Sequence, residues 1–589
     1  MNLGAMLSET AARYPDKTAI VLGERRVTFR QLDADANRLA NALRAAGIKP
    51  GDAVAVMLNN NPEYAVVYFG VARCGAVTVP LDTRYTLEEL SLVFESCPPV
   101  VLIMESPFSE RLAPALSRFP SVQLAIDVNP VPQPGCRSFA GFLAAAPDTP
   151  VDVEVSPEDP GLIAYTSGPT LDPRGAVLSQ KNLVRNAEMS VGAFRQTEKD
   201  VLMLFALPAY HMFGLVTVLL TSILCGSTVV MVPGTGISIN TLMARIESEK
   251  GMMLFGVPYI FSLAVKMAKR EGVHNDLSSL RLCVSAGAPL TVNVVRQFKK
   301  YYGFPIFDIW GLTEATSVVT TAPLAKNRIG TCGKAIPGWE LKIVDENDRK
   351  LPSNQPGEIV VKGTTMNGYY RNPQATKEVL KDGWLYTGDI GIIDESGYVS
   401  ITGRKKKMII LKGQNIYPSD IETVLNAHPK IAAAKVVGLP DSLRGEIVGA
   451  IITTRFGEKI TDAEIRHYCQ QHMADFRVPK QIILTEAPEP LLAKYAGKPL
   501  KRYLSRLTAT SPYRGVEEVL RTHPKIAEAK VSSIPDRLRG EILKAVIRIK
   551  EGELVTEREV RSFCQRKLAN SRFLQQISFA KAKTHAHPK

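Results

Sequence analysis

Residues from Glu422 read ETVLNAHPKIAAAKVVGLPDSLRGEIVGA, and residues from Glu517 read EEVLRTHPKIAEAKVSSIPDRLRGEILKA, in register at a constant offset of 95. The correspondence runs without a gap past Cys469 and Cys564 to Gln481 and Gln576. Self-similarity held at one period without insertion marks one structural unit used twice. The C-terminal part must therefore fold as two like domains. Their surroundings differ: GRKKKMIILKGQNIYPSDIE precedes the first copy and KYAGKPLKRYL follows it, whereas only LTATSPYRGVE precedes the second. The second copy reaches Lys589, four positions before its equivalent of Lys498.

The remaining length needs its own cores, because a single hydrophobic core stops growing at roughly 250–300 residues. Apolar runs such as AVAVML, AVTVP and VVLIM alternate with helical patterns such as TFRQLDADANRLANALRAAG, where apolar residues recur every three to four positions. LMLFALP, STVVMVP, LRLCVSAG and FPIFDIWG continue the alternation, which predicts layered α/β sheets. From Gly330 the texture shifts to short strands and turns, as in GWELKIVDEND and GEIVVKG, up to about Thr402. The expected fold class is α/β multidomain. A large N-terminal domain, 1–402, would carry a β-rich subdomain at 330–402. A small, mobile α+β C-terminal domain would span 403–504, and its incomplete tandem copy 505–589.

Several function classes are disfavoured. Val201 to Ala244 holds no Asp, Glu, Lys or Arg, and part of it is long enough to cross a bilayer. Gly214, Thr217, Thr221, Ser222, Gly226, Ser227 and Thr228 interrupt the run and basic anchors are missing at its ends, so a buried helix followed by a buried strand is expected instead of a membrane span. The start, MNLGAMLSETAARYPDK, has no basic segment leading into an apolar one, and the eight cysteines stand singly, without metal or disulfide spacing. A cytoplasmic home is expected. The net charge of +14 concentrates in the tail, where Lys and Arg outnumber Asp and Glu 18 to 9 from Ser505 to Lys589. Such a face can attract nucleic acid, anionic lipid or a phosphate-rich ligand such as CoA, but a solvated surface with no specific partner is the more frequent explanation, and nucleic acid is not expected.

Tyr165 to Gly175 reads YTSGPTLDPRG, a strand end opening into a hydroxyl- and glycine-rich loop before a helix beginning near Asn182. Thr166, Ser167 and Thr170 offer hydroxyls, Gly168 and Gly175 allow close backbone approach, and Arg174 brings charge, a set suited to phosphate. No Gly-Lys-Ser/Thr closes the loop, so it is not a Walker A motif, and an ordinary surface turn fits as well. Further along come LSQKNL, LPAYHMFG, SAGAPL at Ser285, IWGLTEA at Ile309, LYTGDIG at Leu385, GRKKK at Gly403 and GK at Gly497. In this order, across residues 1 to 504, these stretches resemble the adenylate-forming superfamily of acyl-CoA synthetases, peptide-synthetase adenylation domains and beetle luciferases.

The resemblance implies roles. Gly287, Ala288 and Pro289 would line the adenine, with Trp310 stacking on it where the family usually has tyrosine. Asp308 and Gly311 would belong to the same nucleotide site. Thr313 would hold the α-phosphate and Glu314 the Mg²⁺, while Asp389 and Arg404 would bind the ribose hydroxyls. His211 would border the acyl pocket, Lys406 would be the hinge, and Gly413 would let the pantetheine of CoA pass. Lys498 would neutralise charge as carboxylate and α-phosphate join. ATP, Mg²⁺ and CoA are thus the implied cofactors and co-substrates, and homo-oligomers occur among the possibilities. These residue types suit the chemistry: a carboxylate becomes electrophilic only when its oxygen carries a good leaving group, and joining two anions demands preorganised positive charge.

The phosphate loop departs from the family's Thr-Ser-Gly-Thr-Thr-Gly-x-Pro-Lys-Gly by Pro169, Leu171 and Arg174. Proline lacks an N–H donor and arginine does not reproduce the shape of lysine. Gln180 stands for the usual His. Slower turnover is the expectation. The leading reading is an ATP-dependent ligase that converts a fatty or aromatic carboxylic acid to acyl-AMP and then acyl-CoA, releasing AMP and pyrophosphate. Delivery to a carrier protein, and a degenerate non-catalytic binder, are the alternatives.

Overall fold

The computed structural model describes residues 1–165, 174–232, 238–405, 408–411, 414–441, 443–455, 458, 460–485, 520, 523–536, 540–550, 553, 555–557, 559–560, 563 and 574–579. The chain forms two compact units, Met1–Glu489 and Pro490–Lys589. Its class is α/β multidomain.

The alternating apolar runs of the first unit build two large sheets. One is ordered Gly368–Tyr369, Gly175–Ser179, Pro160–Tyr165, Val77–Pro80, Ala53–Met57, Val101–Met104, Leu124–Asp127, Arg137–Ser138. The other is ordered Ile306–Asp308, Leu282–Ser285, Met253–Gly256, Val201–Phe205, Thr228–Val232, Thr18–Leu22, Arg25–Thr28. Central neighbours run parallel. Successive side chains of a strand point to opposite faces, and here both faces are covered. Leu202 and Leu204 join Val54 and Val56 in a core between the sheets, which also takes in helices Leu3–Arg13, Phe29–Ala45 and Pro62–Arg73. Met203 and Phe205 face the other way, onto Ile246, Phe261 and Phe298, while Ala55 and Met57 pack on Val93 and Leu112. Continuous apolar strands are what a doubly covered parallel sheet requires.

The long uncharged stretch resolves as expected into a buried helix followed by a buried strand. Phe213–Leu220 winds as a π-helix, continues as the α-helix Thr221–Cys225 and leads into Thr228–Val232. Its hydroxyls are satisfied internally: Thr221 Oγ1 donates to the Thr217 carbonyl at 2.8 Å, Ser222 Oγ to the Val218 carbonyl at 2.7 Å, and Thr217 Oγ1 pairs with Ser317 Oγ at 2.8 Å. Among the described residues no helix is long and apolar enough to cross a membrane. Gln180 also proves structural: fully buried, it accepts the Leu3 N–H at 3.0 Å and donates to the Ala72 carbonyl at 3.3 Å, fixing the first helix.

The β-rich section forms a sheet ordered Glu340–Val344, Gly357–Lys362, Trp384–Ile393, Leu380–Lys381, with Val399–Arg404 also paired to Trp384–Ile393. The first C-terminal copy follows as Gln414–Ile416, Ile409–Leu411, Gly445–Thr454 and Ile431–Asp441 in sheet order, joined in parallel by Gln481–Thr485. The second unit repeats this hairpin and parallel strand as Ile526–Asp536, Gly540–Ile549 and Leu574–Phe579. The offset survives in three dimensions: Val436 pairs with Ala450 as Val531 pairs with Ala545. His428 meets Tyr468 edge-on with ring centroids 4.6 Å apart, and His523 meets Phe563 at 4.6 Å.

Within the first unit the first C-terminal copy is tied to helix Leu87–Ser96 by a buried ion pair. Arg477 Nη1 lies 3.2 Å from Glu89 Oε1, with side chains 5% and 2% exposed. Glu89 also accepts the Ala474 N–H at 3.2 Å and, from its other oxygen, the Thr86 N–H that caps helix Leu87–Ser96 at 2.8 Å. Burial pushes the Glu89 carboxyl up, and Arg477 with these donors draws it back. Arg477→Met would strand a buried carboxylate, at a cost of about 3–5 kcal/mol. Hydrogen exchange should accelerate in Asp462–His472 and Gln481–Thr485 but not in Val201–Phe205; uniform, unchanged exchange would show that the pair holds nothing.

Candidate active site

Ligands of open α/β sheets settle beyond the carboxyl ends of the strands, where the chain turns and polar groups find room. Both large sheets open their carboxyl ends onto one cavity of about 1620 Å³. Ala206, Val257, Ala286 and Asp308 reach it from one sheet, and Pro80 and Asp82 from the other. Gly287, Ala288 and Pro289 line it on the turn after Leu282–Ser285, where Gly287 has φ of 82° and so suits the residue without a Cβ. Gly311 is equally constrained, since a Cβ there would lie 1.7 Å from the Ser317 carbonyl oxygen.

Trp310, Asp389 and Arg404 line the polar end. Asp389 and Arg404 are direct cross-strand partners and form a salt bridge between Oδ1 and Nε. Trp310 Nε1 donates to Asp389 Oδ2 at 2.9 Å, and Arg404 Nη2 to the same oxygen at 3.3 Å. Burial pushes the Asp389 carboxyl up, opposed by Arg404 and Trp310. Neighbouring Lys405 donates to Glu358 Oε2 at 3.0 Å, and Glu358 Oε1 accepts the Gly388 N–H at 3.0 Å. The described part of the GRKKK run is thus paired and not merely solvated. Asp308 is held by burial well above the usual carboxylate range, with the Cys332 thiol 3.9 Å from its Oδ2.

Thr313 and Glu314 line the cavity on a short 3₁₀ turn, Thr313–Ala315. Tyr369 Oη donates to Glu314 Oε1 at 2.9 Å, and the Met366 N–H donates to the Glu314 carbonyl at 2.8 Å. Arg174, at the end of the expected phosphate loop, places its guanidinium 5.6 Å from the Tyr369 ring centre and 3.7 Å from Glu378. An arginine can lie over an aromatic face in this way while keeping its charge. Burial and Glu314 together push the Tyr369 phenol upward, so it remains a donor.

The apolar end is bordered by Tyr210, His211, Phe213, Val257 and Ile260. His211 opens to the cavity yet is enclosed by protein, which lowers its imidazole below the usual 6.5. Its Nδ1 accepts the Phe213 N–H at 3.2 Å. Tyr210 Oη donates to Asp82 Oδ1 at 3.2 Å, Arg84 Nε to the same oxygen at 2.7 Å, and the Arg84 guanidinium stacks 4.3 Å over Phe476. From the first C-terminal copy and the strand leading into it, Gln414, Tyr417, Asp420, Phe476 and Arg477 complete the wall.

The expected site residues that can be placed, from Arg174 to Arg404, face this one cavity. Gly175 instead opens strand Gly175–Ser179, where a Cβ would press to 2.7 Å on Ile163. The expected Thr166, Ser167, Gly168, Thr170, Lys406, Gly413 and Lys498, and the departures Pro169 and Leu171, lie outside the described residues. Tyr369, Asp82, Arg84 and Phe476 are additions that the sequence reading does not contain. Asp82 and Arg84 follow the end of the AVTVP strand, the kind of position that signals a site in such sheets; nothing local marks Tyr369 or Phe476.

The family model of the AMP-binding enzymes matches residues 7–370, and that of the AMP-binding enzyme C-terminal domain matches twice, at 420–491 and 515–586. The chain belongs to the AMP-binding enzyme family. Indoleacetate–CoA ligase of Aromatoleum aromaticum is 33% identical to this AMP-binding enzyme over 514 residues, covering 86% of the chain and 99% of that ligase. Long-chain-fatty-acid–CoA ligase of Bacillus subtilis is 31% identical, covering 85% and 94%. The structure of amide bond synthetase McbA from Marinactinospora thermotolerans superposes with a TM-score of 0.77 at 27% identity, covering 86% and 100%. The family carries with it the class expected from the motif order, AMP-forming acid–thiol ligation.

Since enclosure disfavours the charged imidazole, His211 should be neutral at pH 7. The unfolded chain takes up this proton near pH 6.5 and the folded one only lower, so the site loses stability as pH falls through that interval. A ¹⁵N-resolved titration of the ring should have its midpoint below 6.5; a midpoint at or above that value contradicts the assignment.

Proposed function

We propose that the chain is an ATP-dependent acid–CoA ligase that adenylates an aromatic or fatty carboxylic acid and transfers the acyl group to CoA. The observation that carries this reading is the single cavity with a polar end at Asp389, Arg404 and Glu314 and an apolar end at His211, Phe213 and Ile260. In this reading residues 1–402 form the catalytic large domain, 403–504 the small domain pivoting at Lys406, and 505–589 an auxiliary tandem copy of that small domain.

Gly287, Ala288, Pro289, Asp308 and Trp310 would surround the base, Asp389 and Arg404 the ribose, and Thr313 the α-phosphate. The phosphate loop, with Thr166, Ser167, Gly168, Thr170 and Arg174, would hold the outer phosphates. An acid carboxylate beside His211 then attacks the α-phosphorus; the new P–O bond forms as the bond to pyrophosphate breaks. Lys498 and the Thr313 hydroxyl would balance the charge gathered there. In the second step the CoA sulfur, arriving past Gly413, gives up its proton and attacks the carbonyl carbon, and AMP leaves.

Glu314 fits Mg²⁺ as a lone carboxylate ligand. Among the described residues no cluster of three metal-binding side chains occurs, and the only described hydrogen bond to the Glu314 carboxylate falls on Oε1, from Tyr369. Magnesium is commonly held by one or two carboxylates together with substrate phosphates. When bound it supplies charge neutralisation on the phosphates.

Purified protein given Mg-ATP, CoA and a panel of aryl acetates, cinnamates and fatty acids should release pyrophosphate and make acyl-CoA. Acyl-carrier acceptors in the same assay test the thiol partner, and absence of both products with every acid would refute the reading. Lys498→Ala should slow acyl-AMP formation by about 10²–10³-fold, the scale of a lost transition-state charge contact, while barely affecting thioester formation from supplied acyl-AMP.

A further inference from the structure

We infer that Trp310 is a positioning residue through which the enzyme reads the sugar of its nucleotide, an inference that rests on the reading that Asp389 binds ribose. Asp389 is 2% exposed and borders the cavity. A carboxylate has about four acceptor positions on its two oxygens. Arg404 takes Oδ1 through Nε, and on Oδ2 its Nη2, at 3.3 Å, is joined by Trp310 Nε1 at 2.9 Å.

The two partners do different things. Arg404 follows the carboxylate along the sheet, because the residues are a cross-strand pair in strands Trp384–Ile393 and Val399–Arg404. It grips both oxygens, which fixes the carboxylate within the plane of that fork but leaves rotation out of the plane unopposed. Trp310 comes from a separate sheet, in the short strand Trp310–Gly311 paired with Val318–Thr321. Its ring is itself immobilised, at 8% exposure and beside Gly311, which tolerates no side chain. A donor from a second, rigid element opposes that rotation and leaves about one acceptor position, on Oδ1, for the cavity.

The atom responsible is the indole N–H. A tyrosine or phenylalanine ring at 310 can stack on a base but carries no ring N–H at that point, so Trp310 adds a function that stacking alone does not require. The consequence is discrimination: a carboxylate held ready for sugar hydroxyls leaves an acceptor unpaired when a deoxynucleotide binds, and a site that reads a hydroxyl in this way rejects the analogue lacking it.

The test compares ATP with 2′-deoxy-ATP and 3′-deoxy-ATP by calorimetry, on the full-length protein and on two variants, Trp310→Phe and Trp310→benzothienylalanine. The second replaces the N–H by sulfur and preserves the bulk of the ring, which guards against misfolding of the first. The parent should bind at least one deoxynucleotide about tenfold more weakly than ATP, the fold-change of one hydrogen bond to a charged group. Both variants should lose affinity for ATP by a similar factor and bind ATP and that deoxynucleotide nearly alike. If the parent discriminates and the benzothienyl variant discriminates equally, the inference is overturned while the ribose role of Asp389 stands. If the parent does not discriminate at all, the ribose role fails and takes the inference with it.

Discussion

Parallel strands buried on both faces leave a chain one place for polar chemistry, the edge where their carboxyl ends emerge. The rest of this molecule follows from that constraint. Leu202 and Leu204 on one side of a strand and Met203 and Phe205 on the other fill two different cores, so nothing along the strand is available to a ligand. The groups that can act are those just past its end. Two such sheets presenting their ends to one cavity bring together residues as distant in sequence as Asp82 and Asp308.

Several carboxylates around that edge are largely desolvated and take a cationic partner from another element. Arg404 serves Asp389, Lys405 serves Glu358, and Arg477 serves Glu89. These pairs do more than offset burial. The first orients a carboxylate toward the polar end of the cavity, the second anchors the strand end beside it, and the third joins the first C-terminal copy to the wall that carries Arg84. Removing one member of such a pair costs more than the pair contributes, because the other charge remains buried. Position is thus enforced by the penalty for leaving it.

Much of the architecture is legible in the sequence because it depends on periodicity. Alternating runs mark the sheets, the change near Gly330 marks the β-rich sheet, and the offset of 95 reappears as equivalent pairs, Val436 with Ala450 and Val531 with Ala545. The uncharged run ending in Thr228–Val232 reads correctly because its hydroxyls can close onto its own carbonyls. Side-chain partnerships are less legible. Stacking on the base is the role the motif order implies for Trp310, and the sequence holds no sign that its N–H meets a carboxylate 79 positions on. Nothing local marks Lys405 as paired, because Glu358 lies 47 positions away. Tyr369 and Glu314 are 55 apart, and only the return of Gly368–Tyr369 beside Gly175–Ser179 brings the phenol to the carboxylate. Such contacts depend on tertiary packing, which no local pattern encodes.

The central claim is that a carboxylate attacks the α-phosphorus of ATP in this cavity, and the fate of the acid's oxygen tests it directly. With an accepted acid labelled with ¹⁸O in both carboxylate positions, ATP and CoA, a full turnover should leave one labelled oxygen in the phosphate of AMP and none in pyrophosphate. Label appearing in orthophosphate together with ADP would mean attack at the γ-phosphorus, and would contradict the account.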